Sequence, residues 1–158
     1  ISPPLLQECA TGPLCGVAFG TRPDVYATIA QDGSVRIVDL TDYSVLVSAR
    51  GPSEGTCVVW FGEDKVLTGW ADGAVRIYAA ADGAPMGQIP KCHRGRVTCI
   101  AVGQEFIFTG GDDGAMRVWS AHNLEFVAQY SEHGKALTAL LVDRYIPSLR
   151  LFSPPRRF

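Results

Sequence analysis

The stretch Thr109-Gly110-Gly111-Asp112-Asp113-Gly114-Ala115-Met116-Arg117-Val118-Trp119 has two counterparts earlier in the chain. They are Thr68-Gly69-Trp70-Ala71-Asp72-Gly73-Ala74-Val75-Arg76-Ile77-Tyr78 and Thr28-Ile29-Ala30-Gln31-Asp32-Gly33-Ser34-Val35-Arg36-Ile37-Val38. Each runs Thr, three spacers, Asp-Gly, a small residue, an apolar residue, Arg and two further apolar residues. The Asp-Gly pairs begin at 32, 72 and 113, so the period is 40 and then 41 residues. A fixed period of this length marks a repeat architecture, in which each unit buries its apolar face against its neighbours.

Within a unit the local signals are β. Asp-Gly between short apolar runs predicts a tight hairpin, because Gly takes φ > 0 without a Cβ clash. The repeat turns are therefore Asp32-Gly33, Asp72-Gly73 and Asp113-Gly114. The flanking runs are rich in Val, Ile, Thr, Tyr and Phe, which favour strands. Four strands fit each period; in the third unit they are expected near 96–102, 105–110, 115–120 and 125–130. Nothing sustains a helical i, i+3, i+4, i+7 apolar pattern, so the predicted class is all-β.

Four short strands per unit is the arithmetic of a β-propeller blade. At this point the sequence resembles the WD40 family, over about residues 14–142 and most closely in the third unit. The resemblance implies a propeller segment with blades at about 14–49, 56–90 and 96–130. Part of a fourth blade follows from 136, and 143–158 forms an atypical tail. It also implies a structural tetrad of His93, Thr109, Asp113 and Trp119, four polar groups buried together because they satisfy one another. The second unit keeps Thr68 and Asp72 but has Tyr78 at the Trp position, and no His precedes Thr56. The first has Val38 there, and the fourth opens with His133-Gly134 and then loses the motif. Rings in this family usually close with seven blades. The remaining blades are therefore expected elsewhere, in cis in a parent chain or in trans in another, unless the gene product is itself truncated. The opening Ile1-Ser2-Pro3-Pro4, which lacks a starting Met, is expected to be the interior of a longer polypeptide.

Composition narrows the function classes. The 158 residues are 47% apolar, enough for a packed core, and 16 acids against 14 Lys+Arg give a net charge of -2. That balance argues against a general nucleic-acid binder. No apolar run is long enough for a membrane helix. Five cysteines without a CxxC pair argue against both a disulfide framework and a Cys-based zinc site, and fit a reducing, cytoplasmic setting. They sit mostly in or beside the expected strands and are expected to be buried small hydrophobes.

No catalytic, metal or cofactor set is expected. Asp112-Asp113 resembles a carboxylate pair, but the repeat assigns Asp113 to a hairpin. Gly110-Gly111 is followed by neither a helix nor a P-loop lysine. The recurring Arg36, Arg76 and Arg117 are expected to pack their stems while their heads stay wet. Lys91, Arg94 and Arg96, with Lys135 one blade later, form the candidate partner-binding set.

The resemblance thus implies a non-catalytic protein-interaction scaffold. The Trp on the second strand, Trp70, is similar to ciliary and flagellar members of the family. That implies tubulin or other axonemal or centriolar partners, and a place in the cilium, flagellum or centriole. A ubiquitin-ligase receptor or adaptor is the alternative. It is disfavoured because Trp119-Ser120-Ala121-His122 lacks the Trp-Asp-x-Arg docking motif.

Overall fold

The structure, a computed structural model, describes residues 12–131, 139–142 and 149–152. Cys9, His133 and Lys135 lie outside the described residues. The first blade is β1 (Leu14–Phe19), β2 (Val25–Ala30), β3 (Ser34–Asp39) and β4 (Val45–Arg50). The second is β5 (Gly55–Phe61), β6 (Lys65–Trp70), β7 (Val75–Ala79) and β8 (Pro85–Ile89). The third is β9 (Val97–Val102), β10 (Phe106–Gly111), β11 (Met116–Ser120) and β12 (Phe126–Tyr130). Each is an antiparallel sheet in sequence order. In the third unit every observed strand begins one residue later than its pattern predicts. Two further strands, β13 (Ala139–Val142) and β14 (Leu149–Phe152), pair antiparallel. The tail thus contributes a strand where the sequence offered no Asp-Gly turn to announce one. Among the described residues there is no helix.

The hairpins form where the Asp-Gly pairs stand. Gly33, Gly73 and Gly114 have φ of +87°, +85° and +74°. The aspartates accept from the backbone two residues on: Ser34 N–H to Asp32 at 2.9 Å, Ala74 N–H to Asp72 and Ala115 N–H to Asp113, both at 3.1 Å. Such Asx turns fix the hairpin before any tertiary contact is made.

Burial explains the pattern of each strand. Middle strands are covered on both faces, so β2 and β6 are almost continuously buried, whereas β4 alternates. Innermost strands meet their successors: β1 packs on β5, β5 on β9, and β9 on β13. One core joins the first two blades through Ile29, Val35, Val58, Val66 and Trp70. A second joins the second and third blades through Leu67, Val75, Val97, Ile107 and Trp119. The blades share their cores, as the repeat logic requires.

Polar ties cross the same boundaries. Trp60 Nε1 donates to Ala18 O at 2.9 Å, and Thr56 Oγ1 donates to Val97 O. Cys92 and Cys99 are buried and Cys57 is half-buried, but Cys15 is exposed, contrary to expectation. Its strand is β1, whose outward face meets no other described sheet, so its side chains alternate into the open. Burial pushes the Cys57 and Cys92 thiols up to about 12, which makes them inert packing groups.

Candidate functional site: a groove beside a buried polar network

In the third blade four side chains form a hydrogen-bonded chain. Trp119 Nε1 donates to Thr109 Oγ1 at 3.0 Å, and the Thr109 hydroxyl lies 2.9 Å from His93 Nε2. His93 Nδ1 is 3.0 Å from Asp113 Oδ1. With Nδ1–H directed at the carboxylate, Nε2 accepts from the Thr109 hydroxyl, whose oxygen accepts from the indole. One proton then serves each link. Among the described residues no buried side-chain nitrogen or oxygen lacks a partner.

Arg117 closes the network from outside. Its Nη1 donates to Asp113 Oδ2 at 2.9 Å and to the Cys92 carbonyl at 2.6 Å. Arg76 and Asp72 repeat the pair in the second blade at 2.8 Å. These arginines do not keep their heads wet: the side chains of Arg76 and Arg117 are 16% and 17% exposed. The carboxylate four residues earlier, at the turn of the same hairpin, captures each guanidinium. Arg76 also lies 5.4 Å over the Trp70 ring.

The second blade lacks a histidine at this place and solves the problem differently. Trp70, completely buried, donates Nε1 to Thr68 Oγ1 at 2.8 Å, and Thr68 donates to Arg76 O at 2.9 Å. The backbone fixes the equivalences. Gly51 N–H bonds Gly33 O just as His93 N–H bonds Gly73 O, so Gly51 stands where His93 stands. Trp70 and Gly111 are equivalent too, each two residues before the turn aspartate. A Cβ on Gly51 would come under 3.0 Å from the Trp70 ring, and one on Gly111 under 3.0 Å from the His93 ring. One blade therefore pairs a loop glycine with a strand tryptophan, and the next a loop histidine with a strand glycine. A single threonine hydroxyl is satisfied both ways.

The loop carrying His93 is also longer than its predecessor. Ser34 pairs with Arg50, and Pro90 follows Ile89 at the equivalent place, yet His93 matches Gly51. Lys91 and Cys92 are the two extra residues. Cys92 turns inward with Sγ 3.1 Å from Ile89 O, while Lys91 adopts φ +54° and projects outward. Beside this loop lies a concavity of about 540 Å³ lined by Asp72, Lys91, His93, Arg94, Arg117, Trp119 and Phe126. Phe126 meets Trp119 edge-on, with ring centroids 5.6 Å apart.

Comparison with known proteins bears on the repeat family and the fold. Residues 85–120 match the family model described as WD domain, G-beta repeat. Human WD repeat-containing protein 90 is 31% identical over 96 residues, 60% of this chain and 5% of that protein. Both findings support the WD40 repeat family. A chain of the mitotic checkpoint complex superposes with TM-score 0.81 at 17% identity, covering 87% of this chain and 43% of that one. The computationally designed Ika4 protein gives TM-score 0.77 at 20% identity, covering 92% and 93%. These likenesses show the propeller fold. The chain spans about a twentieth of the human relative it matches.

Of the basic residues singled out in the sequence, the structure brings Lys91 and Arg94 to the groove, both exposed. Arg96 is engaged elsewhere, with Nη2 2.7 Å from Glu54 Oε2 of the loop before β5. Sequence reasoning missed Phe126 altogether, and it named Arg117 and Trp70 without their places in the network. The equivalence of Gly51 with His93 was the signal for Trp70, and it required counting the two-residue insertion. Among the described residues, no group of three His, Cys, Asp or Glu is placed to hold a metal.

The network sets a pH dependence. Burial lowers the His93 pKa, against the pull of Asp113. Burial alone would raise Asp113, but hydrogen bonds from Arg117, the Ala115 N–H and His93 hold it at about 2. Both groups bind protons more tightly when unfolded. Their stabilisation is present above the unfolded values of 6.5 and 3.8 and is lost as the pH falls through each window. Urea midpoints are therefore expected to decline from about pH 6.5 downward, and His93→Gln to flatten the upper part of that decline. A wild-type midpoint that rises on acidification overturns this.

Proposed function

We propose that this chain is part of a non-catalytic scaffold that docks an acidic protein surface, with tubulin in an axoneme or centriole as its partner. WD40 repeats imply protein–protein interaction. Lys91 and Arg94 carry the finer reading: both are exposed cations on one loop of a chain whose net charge is -2. The polar groups behind them, His93, Thr109, Asp113 and Trp119, are consumed by one another and support a role in holding that loop. The relation to human WD repeat-containing protein 90 supports the family and leaves the partner to experiment.

Local cations on a near-neutral protein attract an acidic surface at short range only. Binding should weaken steeply as salt shortens the Debye length from about 10 Å at 0.1 M. The expected result is co-sedimentation of the full-length protein with microtubules at low ionic strength and its release by added salt. Absence of pelleting at low ionic strength overturns the tubulin assignment.

A further inference from the structure

We infer that the groove between the second and third blades takes an extended acidic peptide carrying two carboxylates and one apolar side chain. The carboxylates meet Lys91 and Arg94, and the apolar side chain rests on Phe126. This inference rests on the scaffold reading and deepens it by naming a site and the chemistry of its occupant.

Charge accounting selects the ligand. Arg117 is committed to Asp113 and Arg76 to Asp72, so those four charges cancel in pairs. Arg96 is paired with Glu54. Of the cations that line the groove, Lys91 and Arg94 have no ion-pair partner, which leaves it with about two uncompensated positive charges. Two carboxylates neutralise them.

The apolar wall selects the rest. Phe126 is 54% exposed, although its ring is held in place by Trp119. An exposed aromatic packed edge-on against Trp119 and set beside unpaired cations fits a ligand with one greasy and two acidic groups. The other described blade junction lacks this combination. There Pro85 occupies the position of Phe126, Tyr78 that of Trp119, and the extra Lys91-Cys92 pair has no counterpart. The insertion that displaces Lys91 outward is thus what builds the groove's charged lip.

The test uses the full-length protein and a fluorescein-labelled oligoglutamate peptide with one central leucine, followed by fluorescence anisotropy. Lys91→Glu with Arg94→Glu is expected to weaken binding at least about tenfold. Phe126→Ser is expected to weaken it about threefold, while leaving plain oligoglutamate binding unchanged. Arg96→Ala, outside the groove, should bind as wild type does. Circular dichroism confirms that each variant is folded; all the substituted side chains are exposed. Equal affinity of wild type and the double charge reversal overturns the proposal, as does equal affinity for an oligolysine counterpart. If the peptide fails to bind while microtubules still pellet the protein, the groove assignment falls and the scaffold reading stands. If the peptide binds and microtubules do not pellet it, the groove stands and tubulin is not the partner.

Discussion

Trp70→Ala is expected to destabilise the second blade by about 3–5 kcal/mol, because a fully buried indole leaves a cavity that a β-sheet collapses poorly around. The loss is compounded at Thr68, whose hydroxyl loses the donor that satisfies it. Gly51→Ala should also be destabilising by about 1–3 kcal/mol, since the added methyl overlaps the same ring. The decisive experiment is the transplant. Trp70→Gly with Gly51→His recreates the arrangement of Gly111 and His93, with Asp72 available to the imidazole. The two substitutions should couple favourably by about 1–3 kcal/mol, so that the double variant is more stable than the sum of the singles. Urea midpoints of the four proteins in the cycle measure this directly. Strict additivity would show that the two pairs are not alternative solutions to one packing problem.

In the third blade, Trp119→Ala is expected to cost about 3–5 kcal/mol and His93→Ala about 2–3 kcal/mol. The mechanisms differ. Removing Trp119 empties volume in the core shared by the second and third blades and strips Phe126 of its support. Removing His93 leaves the Thr109 hydroxyl and a carboxylate facing unfilled space. Asp113 retains Arg117 and the Ala115 N–H, so its penalty is partial. Trp119→Phe should recover most of the volume term and none of the hydrogen bond. Denaturant midpoints for the three variants are expected in the order Trp119→Phe, His93→Ala, Trp119→Ala, from most to least stable. Wild-type midpoints for both alanine variants would show that the network contributes nothing to the blade.

Some of this molecule is determined by the sequence alone, because the causes are local. Asp-Gly places each hairpin through a turn whose geometry needs only Gly's φ and the aspartate's own oxygen. Strand positions follow from apolar runs bounded by those turns. Thr and Asp recur over 40 and 41 residues at fixed distances from the turn, and the resemblance to WD40 repeats adds His93 and Trp119 to them in the third blade. Other features arise only when distant segments meet. Arg76 and Arg117 are half-buried in ion pairs because the hairpin folds each back on its own aspartate. Arg96 is drawn from the groove to Glu54, a residue 42 positions away, and no charge pattern along the chain specifies that choice. Trp70 takes the place of a histidine because Gly51 leaves room for its ring across the blade boundary. The groove itself belongs to no segment: a loop insertion, a hairpin aspartate and an outer strand create it by packing. Complementarity of volume and charge between chain-distant groups is a property of the packed state, and it is there that the proposed partner-binding surface is decided.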